Sequence, residues 1–181
     1  MEKEAKTARG DNLILIGMPA SGKSTCGVIL AKVLGYDFLD SDLIIQKKTG
    51  KRLSELIEER GVDGFIALEN EINVGISPQR TVIATGGSAV YGTEAMGHFR
   101  RIGLVLYLDA PFEELERRLG NIRQRGVVLR EGQDFRGLYE ERVPLYRKYA
   151  DHVIVEKETG TETTLSEILQ YLEEQTTFTF D

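Results

Sequence analysis

The chain has one cysteine, Cys26, and two histidines among its 181 residues. A lone cysteine closes no internal disulfide and cannot by itself hold a structural zinc. His98 and His152 stand in no metal-ligand or triad spacing, so both read as structural or surface residues. No apolar run approaches the ~18–20 residues of a membrane-spanning helix. Residues 1–12 are polar and mixed in charge, without the apolar core of a secretory signal. A basic surplus is missing too: 23 lysines and arginines stand against 29 acids, a net charge of −6. That balance disfavours nucleic acid and anionic membranes as partners. There is no internal repeat, low-complexity linker or break in composition. The length suits one domain whose core needs no staple. The expectation is a single cytoplasmic domain over 1–181, disordered at 1–11, acting as a monomer or weak homo-oligomer.

What is present is a set of short apolar runs punctuated by glycine. Leu13 to Ile16 is unbroken, as in strands buried on both faces of a parallel sheet. An amphipathic helix is expected over Lys23–Leu34, closed by Gly35. Further strands are expected at Tyr36–Leu39, Thr81–Ala84, Leu104–Leu108 and Val153–Val155. Helices are expected between Leu43 and Val74 and over Phe112–Leu119. Leu165, Ile168, Leu169 and Leu172 give a final helix its stripe. Strands alternating with helices predict an α/β fold, a parallel sheet covered on both faces, with ligands beyond the carboxyl ends of the strands. The segment 120–133, rich in arginine and glycine, is the candidate lid.

Gly17 to Ser24, GMPASGKS, fits G-x-x-x-x-G-K-[ST], the phosphate-binding P-loop. Gly17, Ala20, Ser21 and Gly22 would curl the backbone so that its N–H groups face one anion, at the start of a helix running on through Thr25. Lys23 would reach the β- and γ-phosphates of ATP, and the Ser24 hydroxyl would ligate Mg²⁺. Cys26, inside that helix, reads as a packed, inert thiol.

The guanine-reading N-K-x-D pattern is absent, which argues against a GTPase switch. The third strand ends in Thr85-Gly86-Gly87-Ser88 rather than in the acidic pair of motor ATPases. The carboxylates follow strand two, at Asp40 and Asp42. One could hold Mg²⁺ through water while the other takes a hydroxyl proton, and either could also cap the next helix. Gly86-Gly87 would allow close approach of a small ligand, or form an ordinary strand-to-helix turn. Asp109, before Ala110-Pro111, reads as a helix cap. From Arg117 to Arg147 there are eight arginines, no lysines and four acids, a local +4 that leaves −10 for the rest. Such a run is most often a solvated basic face, but its loop placement favours a lid and phosphate clamp.

Together GMPASGKST at 17–25, FLDSD at 38–42, ATGGSAV at 84–90, LYLD at 106–109 and ERVPLYRKYA at 141–150 resemble the shikimate kinase family, collinearly over residues 12–155. The resemblance implies a three-layer P-loop fold like that of nucleoside monophosphate kinases, with a five-stranded parallel sheet of order 2-3-1-4-5 and a closing lid. It implies that Asp42 binds substrate hydroxyls and acts as base, and that Asp40 lies near Mg²⁺. It further implies that Gly86 and Gly87 contact substrate, that Arg142 holds its carboxylate, and that Arg117 or Arg118 packs on adenine. Arg123 and Arg125 compete for the catalytic lid position. The chain departs from the family's F-R-R-I-E, whose first arginine binds the shikimate carboxylate, by reading Phe65-Ile66-Ala67-Leu68-Glu69. It also has Ser88 for the third glycine and Gly126-Val127-Val128 after Arg125 where the family has R-P-L-L. One lost charge-assisted clamp is worth ~1.5–3 kcal/mol.

The function implied is ATP-dependent phosphorylation of a small hydroxylated acid, shikimate to shikimate 3-phosphate. The alternatives are a kinase of a sugar acid or polyol, and a nucleotide-binding regulatory protein without acceptor activity.

Overall fold

The structure, a computed structural model, describes residues 10–120, 127–156 and 160–175. Its elements run β1 (Asn12–Ile16), α1 (Lys23–Leu34), β2 (Asp37–Asp40), α2 (Ser41–Thr49), α3 (Leu53–Val74) and β3 (Thr81–Ala84). A 3-10 turn at Ala89–Tyr91 precedes α4 (Thr93–Ile102), β4 (Gly103–Asp109), α5 (Phe112–Leu119), α6 (Phe135–Tyr149), β5 (His152–Val155) and α7 (Thr161–Glu174). The strands form one parallel sheet in the order β2-β3-β1-β4-β5.

The apolar runs fold as strands because both faces of the sheet are covered. Ile14, Ile16, Ile83, Val105 and Tyr107 face one side, against Met96 and Phe99 of α4, Leu115 of α5, and Leu138 and Tyr146 of α6. Leu13, Leu15, Val82, Leu106 and Leu108 face the other, against Cys26 and Leu30 of α1 and Ile168 and Leu172 of α7. The alternation follows from the period of two along a strand. A third cluster joins Ile45 of α2, Leu56, Phe65 and Ile72 of α3, and Val128.

Local chemistry sets the helix ends. Gly22 (φ 85°) opens α1 and Gly35 (φ 64°) closes it, both left-handed. Asp40 caps α2 by accepting from the Asp42 amide, and Asp134 caps α6 by accepting from the Gly137 amide at 2.8 Å.

Several expectations are corrected. The helices α4 and α6 had no counterpart in the sequence reading. Asp109 is no cap: Pro111 holds that position, and the Asp109 carboxylate accepts from the Tyr107 hydroxyl and from Arg147, both at 2.8 Å. Of the stretch expected to be disordered, residues 1–9 lie outside the described residues, but Gly10 donates to the Arg101 carbonyl and Asp11 accepts from the Arg80 amide. Of the lid segment, 121–126 lie outside the described residues, Arg123 and Arg125 among them. In the described remainder of that segment Val128 is buried, and Arg130 bonds Asp63 of α3 at 3.0 Å. No described helix is long and apolar enough to cross a membrane.

Candidate active site

The carboxyl ends of β1, β2 and β3 open on one cavity of about 660 Å³. The loop after β1 supplies its floor. Ala20 (φ 66°) and Gly22 (φ 85°) are both left-handed, which curls the chain into the anion-binding bend that the motif predicts. Gly17 is required by space: a Cβ there would lie 2.8 Å from the Leu108 carbonyl oxygen and 2.9 Å from Ser21 Oγ. Lys23 is buried, and its ammonium donates to the Gly17 and Met18 carbonyls at 2.9 and 2.8 Å. Burial lowers the Lys23 pKa to about 8 against the opposing pull of Asp42 and Asp40. The lysine is thus folded onto its own loop, with its charge close to where phosphates would sit.

Beyond β2, Ser24 Oγ donates to Asp40 Oδ2 at 2.7 Å while Asp40 Oδ1 accepts from the Asp42 amide at 3.0 Å. Asp40 therefore caps α2 and also touches the P-loop serine. Two hard oxygens side by side are too few for a protein-only metal cage. They suit Mg²⁺, which keeps several waters and takes its remaining ligands from phosphate. Among the described residues no group of three or more His, Cys, Asp or Glu could hold a metal.

The turn after β3 forms the opposite wall. The buried Ser41 hydroxyl accepts from the Gly86 amide at 3.1 Å and ties this turn to the start of α2. Gly86 cannot carry a side chain, since a Cβ would lie 2.5 Å from Glu69 Oε1 and 2.6 Å from Asp42 Oδ1. A Cβ on Gly87 would lie 2.8 Å from Pro19 and 3.1 Å from Arg142 Nη1. Close backbone approach is therefore what both glycines provide.

Burial raises the Asp42 carboxyl to about 6, aided by Asp40 and resisted by Lys23. Arg142 is 1% exposed. It donates from Nη2 to the Val128 carbonyl at 3.0 Å and from Nε to the Tyr91 hydroxyl at 3.2 Å. The Tyr146 hydroxyl donates to the Gly87 carbonyl at 2.6 Å.

Of the residues expected for ATP, Ala20, Gly22, Lys23, Ser24, Thr25 and Arg118 line the cavity; Gly17 and Ser21 support the loop. Arg117 is not part of the lining: its side chain is 72% exposed and paired with Glu114. Asp42, Gly86, Gly87 and Arg142, the residues expected for the acceptor, all line the same cavity. Ile66 does not; it packs, partly buried, on the cluster around Phe65. The described arginines of the 117–147 stretch do not form one patch. Arg136 lies over the Phe112 ring and Arg147 pairs with Asp109, so among the described arginines of that stretch only Arg118 and Arg142 reach the cavity. Cys26 is packed as expected, its thiol pushed up to about 11 by burial and the Glu156 charge.

The sequence reading missed Glu69, Tyr91, Tyr146 and Glu156. Glu69 is 1% exposed; its Oε2 accepts from Ser88 Oγ at 2.5 Å, and Oε1 has no hydrogen-bond partner among the described residues. Burial pushes its carboxyl up to about 7. Its signal was an acid on the inner stripe of a helix, four residues after Phe65 and three before Ile72.

A family model described as shikimate kinase matches residues 19–173. A shikimate kinase of Synechococcus sp. (strain RCC307) is 40% identical over 169 residues, covering 91% of this chain and 85% of its own. One of Nostoc punctiforme is 36% identical, covering 91% of this chain and 92% of its own. The solved shikimate kinase from Acinetobacter baumannii in complex with shikimate superposes with a TM-score of 0.82 at 31% identity, over 91% of this chain and 94% of that one. A thymidylate kinase from Candida albicans shares the fold at a TM-score of 0.58 and 13% identity. Sequence and fold agree over nine-tenths of the chain, which belongs to the shikimate kinase family.

Proposed function

We propose that the protein transfers the γ-phosphoryl group of ATP to the 3-hydroxyl of shikimate, giving shikimate 3-phosphate and ADP. The observation that carries this reading is that one cavity joins the P-loop to Asp42, Gly86, Gly87 and Arg142. The relative from Acinetobacter baumannii, solved with shikimate bound, supports the acceptor.

The amides of Gly17–Gly22 and the Lys23 ammonium would cradle the ATP phosphates, drawing Lys23 off the Gly17 and Met18 carbonyls. Ser24 and Asp40 would hold Mg²⁺, Asp40 through water, which neutralises charge on the β- and γ-oxygens. Asp42, mostly ionised near neutral pH, would orient the acceptor hydroxyl and take its proton. The hydroxyl oxygen then bonds to the γ-phosphorus as the bond to the β–γ bridging oxygen breaks, and ADP leaves. Arg142 would hold the acceptor carboxylate, with Gly86 and Gly87 leaving it room.

A sugar acid or polyol is the second reading. What favours it is that two carboxylates, the partly buried Asp42 and the buried Glu69, crowd Gly86, while Ile66 leaves Arg142 as the guanidinium at that end among the described residues. Family membership and the intact site speak against a regulatory protein without an acceptor.

Asp42→Asn tests the assignment. It should lower kcat by about 100-fold or more, with the ATP dissociation constant within about twofold of wild type. Near-normal turnover would show that Asp42 does not take the proton.

A further inference from the structure

The end of the cavity away from Asp42 is lined by Thr25, Arg118 and Thr161. Arg118 lies in the last turn of α5, and both edges of its guanidinium are occupied. Nε donates to Glu114 Oε1 at 2.6 Å, one turn back on the same helix. Nη1 and Nη2 donate to the two oxygens of Glu156 at 3.0 and 2.6 Å. Glu156 directly follows β5, and its amide donates to the Asp109 carbonyl at 2.9 Å, so the sheet fixes its backbone. It is 7% exposed.

This arrangement is unlike a phosphate clamp. Glu114 also takes Arg117, so two carboxylates balance two guanidiniums and leave no surplus positive charge for phosphate, and three of the five Arg118 N–H donors are already engaged. What a guanidinium held at both edges still offers is its flat face, which suits an aromatic ring. Glu114 is shared with Arg117, whereas Glu156 serves Arg118. A second, buried carboxylate gains little as a source of stability, because desolvation offsets most of its Coulomb attraction. Its bidentate grip does fix the plane of the guanidinium.

We propose that Glu156 is a positioning residue for the nucleotide: it clamps Arg118 so that the guanidinium face stacks on the base of bound ATP. This rests on the kinase reading above and on placing the base against Arg118.

Titration calorimetry on the full chain without acceptor tests it, using ATP and inorganic tripolyphosphate, which fills the phosphate loop without a base. Glu156→Gln should weaken ATP about tenfold and leave tripolyphosphate within about twofold. Arg118→Ala should do the same, and the double variant should weaken ATP no further. Should E156Q fail to fold, Glu156→Asp keeps the charge, draws it back by one methylene, and should still weaken ATP selectively. A purely structural role would weaken both ligands together. That result, or wild-type ATP affinity in E156Q (or in E156D as its replacement) while R118A is weakened, overturns the proposal. If R118A also binds ATP normally, the base does not lie on Arg118 and the proposal falls with that placement. If the wild-type protein binds tripolyphosphate but gains nothing from the base of ATP, the nucleotide reading itself fails.

Discussion

Glu69 occupies a position on the inner face of α3 where the stripe of Leu56, Phe65 and Ile72 would otherwise place a hydrocarbon. Its neighbours are Ser88, whose hydroxyl donates to it, the Asp42 carboxylate, and Arg142. Burial raises the carboxyl from the ordinary 4.5 to about 7, so the folded state holds a proton that the unfolded chain releases. The favourable contribution is complete below the ordinary value and is lost as pH rises through about 7. Glu69→Gln keeps an acceptor for Ser88 and removes that loss. Its stability relative to wild type should therefore improve by roughly 1–3 kcal/mol between about pH 5 and about pH 8, read by urea unfolding at both. An equal difference at the two pH values would show that Glu69 is not held protonated by the fold.

At this scale the P-loop was readable because its spacing encodes backbone shape. The choice of Arg118 over Arg117 was not, because neighbouring helix positions differ by about 100° and only packing selects one. The pairings of Glu69 and Glu156 were unreadable for another reason, although the helical stripe marks Glu69 as inward: their partners, Ser88 and Arg118, lie 19 and 38 residues away in the chain.

The helix α3 is continuous except at Gly61, where φ is 69° and ψ 175°. Only glycine occupies that region without strain, and a Cβ there would meet nothing within 4 Å, so any penalty is the backbone's alone. Gly61→Ala should cost about 1–3 kcal/mol in thermal or urea unfolding. Stability equal to wild type would mean that the kink is not required by the packing that carries Phe65 and Glu69 to the cavity. Neither α4 nor α6 was expected, and for α6 the reason is physical. Its buried stripe is Phe135, Leu138, Arg142, Tyr146 and Tyr149, and the helix runs through Pro144. The stripe has helical spacing only if the arginine is counted as an inward residue. In both α3 and α6 the charged residue that breaks the apolar pattern lies beside the acceptor end of the cavity. Conflict between pattern and fold therefore marked the site rather than a loop. The strands, with no such conflict, were legible from apolar runs alone.

Across the whole molecule, the strand order and the gathering of P-loop, Asp42, glycine turn and Arg142 at one end of the sheet follow the expected family pattern. The described arginines of the 117–147 stretch do not act as a single field. Asp63, Asp109, Glu114 and Glu156 each take one or more of these arginines. What distinguishes this chain is the chemistry of the acceptor end, with Ile66 in the apolar cluster and Glu69 bonded to Ser88. Shikimate is nevertheless the acceptor that we propose. The direct measurement is acceptor-dependent ADP release by the purified protein with ATP and Mg²⁺, comparing shikimate with sugar acids and polyols and identifying the phosphorylated product. Saturable turnover with shikimate, a higher kcat/KM than for any other acceptor, and shikimate 3-phosphate as product are predicted. ADP release indifferent to shikimate but saturable with a polyol or sugar acid would contradict it.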